Sequence, residues 1–243
     1  KESLALLFGV FLIIGVYEFC KIVRINIIAS LLIAAVAYFF LWNQYNHLVA
    51  KTIITSISIL TAVKLLMYLF NPEKTGFSKA TNYFLLIGYI IIPFILVNYV
   101  AIGIKGYNPK ILISILILIW TNDTFAYIVG KNMGKTKLFP SVSPKKTIEG
   151  FVGGMFFTVI SSVLLSKFFI ESKILYIWII IAIIVSIFST LGDLIQSKFK
   201  RVAGIKDSGK IMPGHGGILD RLDSIIFVIP IINLFYLILY YVS

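Results

Sequence analysis

Apolar and polar positions in this 243-residue chain fall in long blocks, not in single alternations. Crossing the roughly 30 Å hydrocarbon core of a bilayer takes about 20 mostly apolar residues in helical form. Eight stretches meet or approach that length: 3–20, 27–42, 48–70, 83–104, 110–130, 148–170, 173–196 and 217–242. The second is short and needs a thinned bilayer or interfacial help from Trp42 and Tyr45. Pro93 and Pro230 fall inside the fourth and eighth and are expected to kink them. The pattern predicts an all-α, polytopic transmembrane fold of about eight spans. It is read as one integral-membrane domain over 1–243, with an N-terminal helical half, 1–104, and a C-terminal half, 105–243, that holds the long polar runs.

Composition agrees. The chain is 59% hydrophobic and only 13% charged, against about 25% charged in soluble domains, so the whole chain is membrane-embedded and not a soluble domain on one anchor. Mean hydropathy is +0.99. Cys20 stands alone, which excludes an intrachain disulfide, and His47 and His215 are too few for a His-rich metal site. No small-residue cleavage site follows the first apolar stretch, so no cleavable signal peptide is read. No internal repeat stands out, which disfavours an inverted-repeat transporter.

Charge is lopsided, with 22 Lys+Arg against 10 Asp+Glu. Two causes are open: the positive-inside rule with anionic headgroups, or a polyanionic substrate; nucleic acid is not expected. Loops after the odd spans hold Lys21, Arg24, Lys74, Lys79, Lys131, Lys135, Lys137, Lys145, Lys146, Lys198, Lys200, Arg201, Lys206 and Lys210. Loops after the even spans hold Lys51, Lys105, Lys110, Lys167 and Lys173. This bias of 14 to 5 makes the odd loops cytoplasmic and puts both long polar loops, 131–147 and 197–216, on one side. Residue 1, a lysine, then lies outside, and a further N-terminal helix is expected ahead of it.

Acidic residues in spans cost roughly 2.5–3.5 kcal/mol at the bilayer centre. Asp123 lies in span five about two helical turns from its cytoplasmic end, Asp193 near that end of span seven, and Asp220 and Asp223 open span eight. Each alone reads as a helix-end charge or an ion-pair partner, and an acid at a helix N-terminus is favoured by the macrodipole. Together they bring carboxylates from three helices to one membrane side. Asp220 and Asp223 share a helix face, and Arg221 points elsewhere. Oxygen ligands without a Cys or His cluster suit a hard cation such as Mg²⁺, held by Asp193, Asp220 and Asp223, with room for a second cation.

Ser143-Pro-Lys145-Lys146-Thr147 precedes span six. It reads either as a phosphate cradle at a helix N-terminus or as an N-cap with positive-inside lysines. Gly130-x-x-x-Gly134-Lys135-Thr136 imitates a Walker A loop but is one residue short and follows a membrane helix, so a P-loop is rejected. Pro213-Gly-His215-Gly216-Gly217 reads as a nucleotide-contacting turn or as a loop re-entering the interface with His215 as a structural donor. The abundant aromatics, 20 Phe and 13 Tyr, read as lipid-facing or interfacial.

Ser197, Lys200-Arg201, Lys206-Asp207, Pro213, His215-Gly216-Gly217 and Asp220-Arg221-x-Asp223 stand at the spacing of a known signature, and the blocks 123–135 and 143–150 also match it. This resembles the phosphatidate cytidylyltransferases, membrane enzymes that make CDP-diacylglycerol from CTP and phosphatidic acid. The resemblance is strong from about Asp123 to Ser224; the N-terminal half matches only as helices. It implies that the lipid phosphate attacks the α-phosphorus of CTP and pyrophosphate leaves, at the cytoplasmic face of the cell (inner) membrane. It implies Mg²⁺ and K⁺ around Asp193 and Asp220, with Asp193, Asp220, Asp223 and Lys206 as catalytic residues and no organic cofactor. Substrate contacts are expected from Asp123, Ser143, Lys145, Lys146, Thr147, Ser197, Lys200, Arg201, His215, Gly216, Gly217 and Arg221. Membrane lipids and a second copy of the chain, as a homodimer, are further expected partners. A polyprenol kinase or another lipid cytidylyltransferase would share the polar loops. A cation-coupled transporter would instead place ionisable residues near the midplane.

Overall fold

All eight apolar stretches are helical in the computed structural model, which describes residues 1–41, 44, 47–71, 76–103, 106–171, 174–209, 211 and 216–242. Trp42, Tyr45, Lys74, Lys105, Lys173, Lys210, Met212, Pro213, Gly214 and His215 lie outside the described residues. The helices are α1 Glu2–Val23, α2 Ile27–Leu41, α3 Leu48–Phe70, α4 Lys79–Val100, α5 Pro109–Met133, α6 Ile148–Phe169, α7 Leu175–Val202 and α8 Leu219–Val242. Seven are long and apolar enough to cross a bilayer. The exception, α2, has 15 residues and spans only about 22 Å at 1.5 Å per residue. The chain is an all-α polytopic membrane protein, as its block pattern predicts.

Helix α4 is the centre of the bundle, with 83% of its apolar window buried, against 33% for α5 and 22% for α6. It starts four residues earlier than predicted because Ser78 caps it, its hydroxyl accepting from the Thr81 N–H at 3.3 Å. Residues Leu86–Ile91 form a π-helical turn just before Pro93. Proline has no N–H to donate. The Gly88 carbonyl, five residues back and so its partner in π geometry, instead accepts from the Ser58 hydroxyl of α3 at 2.7 Å. Sequence pattern predicts a kink at Pro93; the structure resolves it into a wide turn that a neighbouring helix completes.

Helices α5 and α6 pack through small residues. A Cβ on Gly150 would come within 2.6 Å of the Ala126 carbonyl oxygen, and one on Gly154 within 2.8 Å of the Asn122 carbonyl oxygen. Gly150 and Gly154 are four apart, as are Ala126 and Asn122, so two smooth stripes meet. This is the small-xxx-small arrangement that lets membrane helices approach closely. The Walker-like glycines belong to the same contact: a Cβ on Gly134 would stand 2.6 Å from the Thr147 hydroxyl.

The described parts of both polar loops hold more regular structure than predicted. Within 131–147, strand β1 (Lys137–Phe139) pairs antiparallel with β2 (Ser143–Thr147), with Lys137 opposite Thr147 and Phe139 opposite Ser143. Helix α7 runs through Val202, so Ser197, Lys200 and Arg201 lie on its last turns and not in a loop. Its 28 residues extend about 42 Å at 1.5 Å each, well beyond a 30 Å hydrocarbon core. Lys198, counted above among loop charges, is 6% exposed, and its ammonium donates to the Tyr68 and Asn71 carbonyls, the latter at 2.6 Å. It thereby satisfies orphan carbonyls at the end of α3.

The α5–α6 contact generates a stability prediction. Gly154→Ala should lower the detergent melting temperature, because overpacking costs about 1–3 kcal/mol. Gly76→Ala, where an added Cβ meets nothing within 4 Å, serves as the control. Equal melting temperatures for both variants would show that the two helices are not held this close.

Candidate active site

The end of α5, the start of α6, the end of α7 and the start of α8 meet at one end of the bundle. A cavity of about 750 Å³ opens there. Strand β2 and the loop after α7 complete its wall through Lys145, Lys146 and Asp207. The two polar loops that charge bias assigns to one side thus contribute to a single cavity. Close packing of α7 on α8 brings their acids near each other: a Cβ on Gly192 would lie 2.8 Å from the Asp223 carbonyl oxygen.

Asp123, Asp193, Asp220 and Asp223 all line the cavity, as do Lys145, Lys146, Thr147, Lys200 and Arg221. Two lysines neutralise two of the acids. Lys146 Nζ stands 2.6 Å from Asp193 Oδ2, with the side chains 27% and 35% exposed. Lys200 Nζ stands 2.6 Å from Asp220 Oδ1, with the side chains 12% and 8% exposed. The first pair is open to solvent and the second is nearly enclosed. Helix periodicity explains the choice of Lys200 over Arg201. Seven residues from Asp193 return to within about 20° of its face, whereas eight land about 80° away. Ser197, one turn from Asp193, donates its hydroxyl to Asp193 Oδ1 at 3.2 Å and so orients that carboxylate.

Asp220 is a clamp. Its Oδ2 accepts from the Ser208 N–H at 2.7 Å and the Gly217 N–H at 2.9 Å and lies 3.0 Å from the Ser208 hydroxyl, while Oδ1 takes Lys200. Gly216 has φ +83°, and a Cβ there would sit 2.7 Å from Asp220 Oδ2. Glu18 of α1, 1% exposed, completes the arrangement. It accepts from the Ile218 N–H at 3.0 Å, the Leu219 N–H at 2.9 Å and the Ser208 hydroxyl at 2.8 Å. The two N–H groups are otherwise orphan donors at the start of α8.

Several sequence expectations change here. The N–H groups of residues 217–219 are already engaged by the two carboxylates, so Gly216 and Gly217 wrap acids and do not line the cavity. The start of α6 is likewise occupied: Thr147 Oγ1 accepts from the Gly150 N–H at 3.1 Å, and the Ile148 N–H donates to the Thr136 carbonyl at 2.9 Å. Glu149 accepts from the Lys135 and Thr136 N–H groups, each at 3.1 Å. The expected backbone cradle is therefore an N-cap, and the positive charge facing the cavity comes from lysine side chains. Ser143, at the start of β2, does not line the cavity. Arg201 and Lys206 are exposed outside it, and Asp207, the neighbour of Lys206, lines it instead. Arg221, expected to point elsewhere, lines the cavity with Asp220 and Asp223. His215 lies outside the described residues.

Sequence reasoning passed over Asn122, Tyr127, Lys131, Lys137, Thr190, Ser224 and Glu18. The first six line the cavity. Asn122 and Ser224 adjoin acids already singled out, and Thr190 sits one turn from Asp193, so proximity in sequence was an available signal. Glu18 carried one too: an acid near the end of an apolar span demands a partner.

A family model described as the cytidylyltransferase family matches residues 1–239. The phosphatidate cytidylyltransferase of Staphylococcus saprophyticus is 45% identical over 144 residues, covering 57% of this chain and 55% of the relative. Those of Staphylococcus haemolyticus and Staphylococcus aureus are each 45% identical, over 145 and 146 residues, with the same coverage. The match thus spans about half the length of these curated relatives. The family model runs through α1 to α8 and includes every element that builds the cavity, and on that breadth the chain belongs to the cytidylyltransferase family.

Proposed function

We propose that this protein condenses CTP with phosphatidic acid to give CDP-diacylglycerol and pyrophosphate, at the cytoplasmic face of the cell membrane. What carries the reading is the cavity, which places basic groups among several carboxylates where four membrane helices end. A triphosphate needs the first and its cations need the second. The ionisable groups gather at one end of the bundle, unlike the midplane site of a cation-coupled transporter. The relatives' name supports the reaction class, and the excess of Lys and Arg after the odd spans, which persists without the buried Lys198, supports the orientation.

The side chains divide the work. Lys131, Lys137, Lys145 and Lys146 face the cavity as point charges for phosphate oxygens, and Arg221 offers a planar fork able to grip two oxygens at once. The lipid phosphate, already ionised near neutral pH, is the nucleophile, so no general base is required. It attacks the α-phosphorus in line, its new P–O bond forming as the bond to the pyrophosphate oxygen breaks. Asp193 keeps Lys146 at the cavity wall until phosphate competes for it.

Among the described residues, no three His, Cys, Asp or Glu side chains converge as a ready metal cluster. Mg²⁺ is commonly held by only one or two carboxylates, with phosphate and water oxygens completing its shell, and an all-oxygen donor set suits it. Asp193 and Asp223, on the closely packed ends of α7 and α8, would hold it, since Asp220 already takes Lys200, Ser208 and Gly217. When bound, such an ion neutralises triphosphate charge.

Pyrophosphate release from CTP that requires both phosphatidic acid and Mg²⁺ tests the reaction directly; release independent of phosphatidic acid would overturn it. Asp193→Asn and Asp223→Asn should each abolish turnover in folded protein, and near-normal rates at limiting Mg²⁺ would remove them from the cation site. Lys145→Gln and Lys146→Gln should each lose about ten- to hundredfold in kcat/KM for CTP, the loss of a charge-assisted contact of roughly 1.5–3 kcal/mol. Lys79→Gln, outside the cavity, serves as their control. For orientation, cysteines replacing Lys135 and Ile205 in a Cys20→Ser background should label from the cytoplasm, and one replacing Tyr107 from the opposite side. Labelling of 135 and 205 from different faces would contradict a shared site.

A further inference from the structure

Helix α1 belongs to the half of the chain that carries no signature motif, yet it sends one carboxylate into the polar end of the bundle. Glu18 is 1% exposed in an apolar helix, where an acid is costly unless something specific engages it. It accepts from Ile218 N–H at 3.0 Å, Leu219 N–H at 2.9 Å and the Ser208 hydroxyl at 2.8 Å. Two glycines are shaped around it. A Cβ on Gly217 would stand 2.5 Å from either carboxylate oxygen, and one on Gly209 would stand 2.4 Å from Oε1. The glycines of the loop therefore admit a carboxylate of the protein's own.

Ser208 is the point of transmission. Its hydroxyl lies 2.8 Å from Glu18 Oε2 and 3.0 Å from Asp220 Oδ2, and its N–H donates to Asp220 at 2.7 Å. Glu18 thus holds the same short segment that Asp220 holds, from the opposite side. Asp223 follows Asp220 by three residues on α8, and Asp207 precedes Ser208; both line the cavity. Fixing residues 208 and 217–219 fixes the spacing of these acids from Asp193 on α7.

We propose that Glu18 is a positioning residue of the active site: from the first helix it sets Ser208 and the first turn of α8, and through them the acids that line the cavity. It touches neither nucleotide nor lipid. The inference rests on the reading of this cavity as the reaction site, and its test separates the two.

The probe is a cysteine in place of Ile218, which is 3% exposed, in a Cys20→Ser background. With Glu18 present its labelling by a membrane-permeant maleimide should be slow. Glu18→Gln sets an amide N–H₂ against backbone donors and should open the segment, raising the labelling rate by about tenfold or more. In the same protein, kcat should fall by about ten- to hundredfold, since small misplacement of catalytic groups has effects of that order. KM for CTP should move by less than about threefold, because the groups that contact the nucleotide remain. Ser208→Ala, which leaves Glu18 its two backbone donors, should give a smaller fall in kcat at unchanged melting temperature, and it stands in if Glu18→Gln does not fold. Slow labelling with unchanged kcat in Glu18→Gln would overturn the proposal, and so would fast labelling with unchanged kcat, or unchanged kcat in Ser208→Ala if Glu18→Gln does not fold. A wild-type protein without turnover would defeat the assigned reaction, while the labelling rates would still decide whether Glu18 anchors the loop.

Discussion

A carboxylate taken out of water must be met by donors, and most of the polar end of this bundle is organised around that requirement. Glu18 and Asp220 are enclosed among apolar helices, and each collects backbone N–H groups, a hydroxyl or an ammonium. Glu18 takes its backbone donors from the start of α8, where N–H groups have no intrahelical acceptor, and Asp220 takes Ser208 and Gly217 ahead of that helix and Lys200 of α7. Two deficits, buried acids without donors and a helix start without acceptors, cancel each other. The glycines at 209, 216 and 217 follow from this, because any side chain there would strike a carboxylate.

The same logic runs through the bundle with other groups. Lys198 meets the carbonyls that α3 leaves at its end, and Ser58 meets the carbonyl that Pro93 cannot serve. In hydrocarbon no water is on hand for such groups, so one helix finishes another. Between α5 and α6, where there is little to satisfy, the contact is steric: glycines let backbones touch. The site therefore stands on a frame in which polar contacts complete the backbone groups that helices leave unpaired, and shape sets the contact of α5 with α6.

The helices were legible because a block of about 20 apolar residues has few alternatives in a membrane. Their ends were less so. Helix α7 continues through Lys198, Lys200 and Arg201, whose charges resembled a loop, because each finds a place outside the hydrocarbon or a partner within the bundle. Asp123, Lys145, Lys146, Asp193, Asp220 and Asp223, which the motifs singled out, share one cavity. What the motifs could not convey is which polar groups are consumed by the fold. Thr147 reads the same whether it caps a helix or touches a phosphate, and Gly217 the same whether its N–H is free or given to Asp220. Glu18 was hidden for the opposite reason: its partners lie 190 to 201 residues away along the chain.

The lining of the cavity carries six basic side chains and five acidic ones, so it is formally close to neutral although the chain as a whole carries +12. Such a surface behaves like a zwitterionic resin and not like a basic sink. At physiological ionic strength fields are screened within about 8 Å, so an approaching polyanion feels alternating signs that largely cancel. Long-range attraction is left to the exposed charges outside the cavity, Arg201 and Lys206 among them. Inside, the exchange is most favourable for the paired Lys146 and Lys200 when a cation takes the lysine's place at the acid as an anion takes the acid's place at the lysine. Occupancy becomes an exchange of counterions within a nearly fixed total charge, which favours an anion arriving with its own cation over a bare one.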